Sequence, residues 1–220
     1  MQRKADIERK TTETQIEGSI NIDGTGKTKI KTPIGLLSHM LELFAFHGYF
    51  DLKLEVKGDT HIDIHHTNED IGIALGKAFK KAIGEKKLGI KRFGWAFAPM
   101  EDNLGHTVVD ISGRGHFKFY FSGGNLVFQD EVMKKLREDF SISSESNHEE
   151  YSFQYLEHFL DSFAKQLGAN IIVTVKHVDS ADLHTIMETI FKSLGMALDQ
   201  ATTIDPRRKG QVPSTKGIID

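Results

Sequence analysis

The chain contains no cysteine. That absence removes disulfide bonds and thiolate metal sites, so any metal must be held by imidazole and carboxylate. Such a donor set suits Mn, Fe, Co or Zn better than Cu(I). An excess of one charge is also lacking. The 28 Lys and Arg nearly balance the 31 Asp and Glu, and the formal net charge is -3. With a pI near 6.4, nothing argues for a nucleic-acid surface. No apolar run approaches the length of a membrane span, and MQRKADIERK holds no apolar stretch of the kind a secretory leader needs. A soluble, cytoplasmic protein is expected, with no membrane and no nucleic-acid partner. The 220 residues suffice for one domain or two small ones.

What the sequence does contain is a pair of related segments. One is H-H-T-N-E-D-I-G-I-A-L-G-K-A-F from His65; the other is H-T-I-M-E-T-I-F-K-S-L-G-M-A-L from His184. Each sets a histidine four residues before a glutamate, His65 with Glu69 and His184 with Glu188, and a glycine seven residues further on, Gly76 and Gly195. Residues four apart share a helix face, so the imidazole and carboxylate of each pair can close on one cation. A metal-binding protein built from two related halves is the leading expectation.

The rest of the chain fits two such halves, read as 1–93 and 94–200, with a tail over 201–220. Alternation from Glu8 to Lys31, broken at Asp23-Gly24 and Gly26, predicts a hairpin. Leu36 to Phe46 reads as a helix, Phe50 to Gly58 as a strand, His61 to Ile64 as a further short strand, and Thr67 to Ile83 as a helix. In the second half Trp95–Met100, Thr107–Ile111, Phe117–Phe121 and Ile171–Val175 read as strands. Tyr151–Leu167 and Leu183–Leu198 read as helices. The polar stretch 124–147 gives no clear signal. The fold class expected is α+β: two related half-domains, each a mostly antiparallel sheet with two helices packed on one face. The basic tail after Pro206 reads as a frayed terminus or an anion-binding flap.

His65 and His66 are adjacent and cannot point the same way, which suits paired or shared sites. His39 and His47 lie on or just beyond another helix, where a hydrogen-bonded structural histidine is the plainer reading. His61, His106, His116, His148, His158 and His177 are individually weak signals. Arg92, Arg114 and Lys216 could hold a phosphorylated anion, with arginine offering a fork and lysine a point charge. Glu13 beside a metal would be an acid-base group.

In order along the chain, R-K-T-T-E-T from Arg9, D-G-T-G-K from Asp23, G-L-L-S-H-M-L from Gly35 and G-D-T-H-I-D-I-H-H-T-N-E-D-I-G from Gly58 are followed by further motifs. These are I-K-R-F-G from Ile90, P-M-E-D-N-L from Pro99, D-I-S-G-R from Asp110, the His184–Glu188 helix and V-P-S-T-K-G from Val212. Over essentially its whole length the chain resembles the imidazoleglycerol-phosphate dehydratases of histidine biosynthesis. The resemblance implies a hydro-lyase with two Mn ions per site, acting on a small phosphorylated imidazole substrate. It implies related α+β halves and homo-oligomers, trimers packed into a 24-mer with sites at subunit contacts. In that chemistry an ion holds the substrate ring as imidazolate, easing removal of a poorly acidic carbon-bound proton, and hydroxide is lost through a diazafulvene-like intermediate to the enol. His39, His65, His66, Glu69, His184 and Glu188 match the metal ligands. Glu13, His39, Glu69 and Glu188 are the candidate catalytic groups. Arg92, Arg114, Ser214 and Lys216 match the phosphate-binding group.

The chain departs from the pattern at two ligand positions. Thr185 follows His184 where a second histidine is expected, and Thr174 stands where a strand histidine belongs, with His177 nearby. Ser38 before His39, Glu101-Asp102 and Gly115 are further departures. Pseudo-symmetry between the halves groups His184, Glu188, His39 and His66 in one site, and His65 and Glu69 with Thr174 and Thr185 in the other. Both losses then fall in one site, as expected if a single ion remained. The alternative to the full dehydratase is a one-metal or noncatalytic paralogue that binds another phosphorylated small molecule or a partner. Retention of Glu13, Arg92, Arg114 and Lys216 favours small-molecule chemistry.

Overall fold

A computed structural model describes residues 3–84, 87–122, 141–142, 151–176 and 183–219. The first half runs β1 (Lys4–Lys10), β2 (Thr14–Asn21), β3 (Thr28–Lys31), α1 (Gly35–His47), β4 (Asp51–Gly58) and α2 (Ile64–Ile83). The second runs β5 (Phe93–Met100), β6 (Asn103–Asp110), β7 (His116–Ser122), the two-residue strands β8 (Ser141–Ile142) and β9 (Tyr151–Ser152), α3 (Phe153–Leu167), β10 (Asn170–Lys176) and α4 (Leu183–Thr202). One 3-10 turn, Pro206–Arg208, lies in the tail.

The two main sheets have the same plan. The first is ordered β1-β2-β4-β3 and the second β5-β6-β10-β7. In each, two antiparallel pairings are followed by one parallel pairing, β3 with β4 and β7 with β10. Strand alternation puts one face of each sheet inward: Ile16, Leu52 and Leu54 in the first, Val109, Ile171 and Val173 in the second. The helices cover these faces, and the halves meet helix to helix, α2 against α3 and α1 against α4. The expected α+β halves are therefore present, with mixed sheets that remain mostly antiparallel. The four helices among the described residues feed one aromatic cluster. Phe44, Phe79, Phe163 and Phe191 are fully buried, and each such ring contributes about 1.5–3 kcal/mol of burial.

Three local expectations are corrected. The hairpin is β1–β2, turning at Thr11–Glu13, and β3 does not pair with β2. Helix α1 carries the chain back across the sheet, so β3 lies parallel to β4 instead. His61–Ile64 is not a strand. It forms a turn and the start of α2, because the Asp63 carboxylate accepts the His65 amide at 2.6 Å and caps the helix there. Finally, the tail is pinned rather than frayed: Gly89 N–H donates to Gln211 O at 3.0 Å and Asp205 N–H to Gly89 O at 2.8 Å. Of the stretch 124–147 only 141–142 is described, and His148 and His177 also lie outside the described residues.

Candidate active site

The glycines noted in the sequence fix how the helices bearing the His-Glu pairs approach their neighbours. A Cβ at Gly76 would lie 2.5 Å from the Phe163 carbonyl oxygen of α3, and Gly195 sits likewise against the Phe44 carbonyl of α1. Each helix with a His-Glu pair thus crosses a helix of the other half at backbone contact.

This crossing builds the first group. His184 Nε2 and His39 Nε2 lie 3.1 and 3.4 Å from the same atom, Glu188 Oε1. The two rings stack with centroids 5.4 Å apart. Glu188 Oε2 accepts from Lys192 Nζ at 2.5 Å. Burial works to raise the Glu188 pKa, but Lys192 and the two imidazoles outweigh it and hold the carboxyl below its ordinary value. Donors of His39, His184 and Glu188 all fall within 4.8 Å of one another. The histidines remain 44% exposed, leaving space for further ligands. Two imidazoles converging on one ionised carboxylate oxygen fit a divalent cation of the borderline kind.

A second group gathers where β2, β4 and α2 meet. His66 Nδ1 lies 3.7 Å from Glu13 Oε2 and 3.6 Å from Asp59 Oδ2. His66 Nδ1 and Asp59 Oδ1 are shielded yet have no hydrogen-bond partner among the described residues. Burial would lower the His66 pKa, but the Glu13 and Asp59 carboxylates outweigh it and raise it. Arg9 and Thr14 clamp Asp70 at 2.6 and 2.5 Å, tying the second turn of α2 to the sheet beside this group. Glu13 and Asp59 also wall a surface depression of about 350 Å3. Within one chain His66 therefore keeps company with Glu13 and Asp59 and is not part of the His39–His184–Glu188 group. Adjacent residues on α2 diverge by about 100°, so His66 points away from His65 and towards Glu13 and Asp59.

His65 Nε2 and Glu69 Oε2 face each other at 3.8 Å. Thr185 is buried on the first turn of α4, and Thr174 is half-buried in β10 opposite His106 and Tyr120.

The predicted phosphate group is split. Arg92 is committed to Asp110 through Nε at 2.6 Å and Nη2 at 3.0 Å, and its Nη1 donates to Pro213 O at 3.1 Å. It thereby holds the loop bearing Ser214 and Lys216. Arg114 and Lys216 are exposed, while the Ser214 hydroxyl accepts the Lys216 amide at 3.2 Å. Reading the sequence missed Asp59, Lys192 and Asp110. Lys192 had a signal, its spacing of four from Glu188; Asp59 and Asp110 had none without the fold.

A family model described as imidazoleglycerol-phosphate dehydratase matches residues 32–198. The chain belongs to this family. It is 46% identical over 219 residues to the imidazoleglycerol-phosphate dehydratase of Geobacillus kaustophilus (strain HTA426), covering 100% of both chains. To that of Bacillus subtilis (strain 168) it is 43% identical over 217 residues, covering 99% of this chain and 100% of the other. Among solved structures, the imidazoleglycerol-phosphate dehydratase from Staphylococcus aureus superposes with a TM-score of 0.68 at 28% identity, covering 92% of this chain and 99% of that one. The Pyrococcus furiosus protein in complex with (S)-C348 gives 0.69 at 32% identity, covering 96% and 99%.

Proposed function

We propose that the protein is a metal-dependent hydro-lyase of histidine biosynthesis that dehydrates imidazole glycerol phosphate to imidazole-acetol phosphate. The observation that carries this reading is the convergence of His39 and His184 on Glu188 Oε1 in a chain matched along its full length by relatives bearing that name. Mn is the metal proposed. When bound, it supplies a Lewis acid that stabilises the anionic form of the substrate ring. His39, His184 and Glu188 would hold one ion, and His65 with Glu69 another. His66 would join the His39–His184–Glu188 ion when a neighbouring copy completes the site, since His39 and His184 remain 44% exposed in the single chain. A homo-oligomer, trimer-based up to a 24-mer, is part of the proposal, as is a cytoplasmic location. Among the described residues no helix is long and apolar enough to cross a membrane.

The chain's own residues account for the remaining needs. Arg114 and Lys216, both exposed, bind the phosphate, and Arg92 fixes the loop that carries Ser214 and Lys216. Glu13 moves the proton: its carboxylate takes the carbon-bound proton, the C–H electron pair forms the new double bond as the C–O bond breaks, and protonated Glu13 returns that proton to the hydroxyl, which leaves as water. Its neighbours His66 and Asp59 set the charge around it.

A second reading, with only one ion held, is favoured by Thr185, a buried neutral hydroxyl next to His184. Metal content per chain after reconstitution with Mn, run beside an assay for imidazole-acetol phosphate, separates the two. About two ions with turnover supports the full dehydratase. About one ion with turnover supports the second reading, and absence of product at full metal loading sinks the reaction assigned.

A further inference from the structure

The two main sheets share a strand plan but not an outer face. Across the first, Asp6, Ser19, Lys53 and Lys29 stand in one register row over β1, β2, β4 and β3. A row across the second reads Trp95, Val108, Ile172 and Lys118. The strand plan therefore does not dictate charge on this face. On the first sheet the charge is gathered at one end, where Lys4, Lys27, Lys29, Lys53 and Lys81 line a depression of about 550 Å3. Its floor is low because the residues of β2 that line it include the short Ser19 and Asn21.

All five lysines are exposed. Among the described residues the lysines in ion pairs are Lys165 and Lys192, so these five ammonium groups have no carboxylate within ion-pair distance. Two acids also line the depression, and neither neutralises them. Both Asp51 oxygens are engaged at the β2–β3 connection: Oδ1 accepts the Thr25 and Lys27 amides at 2.8 and 3.1 Å, and Oδ2 accepts from Asn21 Nδ2 at 3.1 Å. Asp6 lies two strands away from Lys53, about 10 Å. Lys29 and Lys53, by contrast, are direct partners on adjacent parallel strands, and like charges so placed repel. A multivalent anion lying across them turns that repulsion into attraction.

Lysine meets an anion as a point charge, which suits the many oxygens of a phosphate chain; a carboxylate is met better by an arginine fork. Among the described residues that line the depression there is no arginine, and no aromatic ring on which a nucleobase could stack. We propose that the outer face of the first sheet binds a polyphosphate chain, held by Lys29 and Lys53 and flanked by Lys4, Lys27 and Lys81. The phosphate chain alone is recognised, whether free or carried by a nucleotide. The site is distinct from the phosphate group assigned to the reaction. Ser19 stands six residues from Glu13, about 20 Å of extended strand, and neither Arg114 nor Lys216 borders the depression.

The test is a calorimetric titration of the full-length protein, reconstituted with Mn2+, with tripolyphosphate. The anion is supplied as its Mg2+ complex so that it does not draw Mn2+ from the protein. Tripolyphosphate should saturate a site on each chain, ATP should bind within about threefold of it, and adenosine should not bind. Lys29→Gln combined with Lys53→Gln should weaken this site by at least about tenfold, as expected for the loss of two charge-assisted contacts. Two controls should leave the site within about threefold of the unaltered protein. Lys118→Gln removes the same charge from the second sheet, and Arg114→Ala alters the phosphate group of the reaction. The thermal midpoint of the Lys29 and Lys53 double variant should not fall, which separates lost binding from lost structure. Several outcomes overturn the proposal. Absence of saturable binding removes the site. Equal weakening in Lys118→Gln would reduce it to attraction by overall charge. Loss of binding in Arg114→Ala, with the double variant unaffected, would place the anion in the phosphate group of the reaction. Binding of adenosine, with ATP far tighter than tripolyphosphate, would mean that a base is read instead of the phosphate chain.

Discussion

Gly195 of α4 rests directly against the carbonyl oxygen of Phe44 on α1, with no space for a Cβ between them. The contact sets the distance at which His39 on α1 meets His184 and Glu188 on α4. Gly195→Ala should therefore push the helices apart and destabilise the protein by about 1–3 kcal/mol, a loss of about 2–4 °C in thermal midpoint per kcal/mol. Gly35→Ala, where nothing lies within 4 Å of the added methyl, is the control and should leave the midpoint unchanged or slightly raised. Equal midpoints for the two variants would show that the crossing tolerates a side chain.

Glu13→Gln should lower kcat by about 10²–10⁴-fold, the range for loss of a general acid-base group, with Mn content per chain unchanged. A fall in bound Mn to match the fall in kcat would instead make Glu13 a ligand with Asp59 and His66.

The two arginines should separate. Arg114→Ala and Lys216→Ala should raise KM for the phosphorylated substrate by about 10–100-fold, as expected for one charge-assisted hydrogen bond each, and leave the thermal midpoint alone. Arg92→Ala should raise KM and also lower the midpoint, since it strands Asp110 and releases Pro213. Unchanged KM in both Arg114→Ala and Lys216→Ala would remove them from phosphate binding.

Glu188 has a folded-state pKa below its ordinary value of 4.5. Between the lowered and ordinary values the unfolded chain binds more protons, so stability rises with pH through that window. This contribution is complete above the unfolded value and is lost as pH falls through the folded one. In metal-free protein, Glu188→Gln and Lys192→Met should each flatten the acid limb of a midpoint-against-pH curve. A limb as steep in both variants as in the unaltered protein would place the acid sensitivity elsewhere, for instance at Asp23, whose carboxyl Arg3 also holds low.

The sequence by itself determined the family, the repeat and the residues able to ligate a metal. These are local properties: a spacing of four puts His65 with Glu69 and His184 with Glu188 on one helix face whatever surrounds them. The strands of the second half were equally legible, because alternation reports a sheet with one buried face. The start of α2 was not, since the Asp63 cap competes with a strand-like stretch and only the folded backbone shows which wins. Tertiary structure alone decided which groups meet. His39 joins Glu188 across 149 residues and His158 joins His65 across 93, contacts that depend on helix crossings rather than on any periodicity. Within one chain it also sets His66 beside Glu13 and Asp59 and turns Arg92 towards Asp110. Spacing along the chain fixes direction on an element; the packing of one element against another fixes distance, and a binding site requires both.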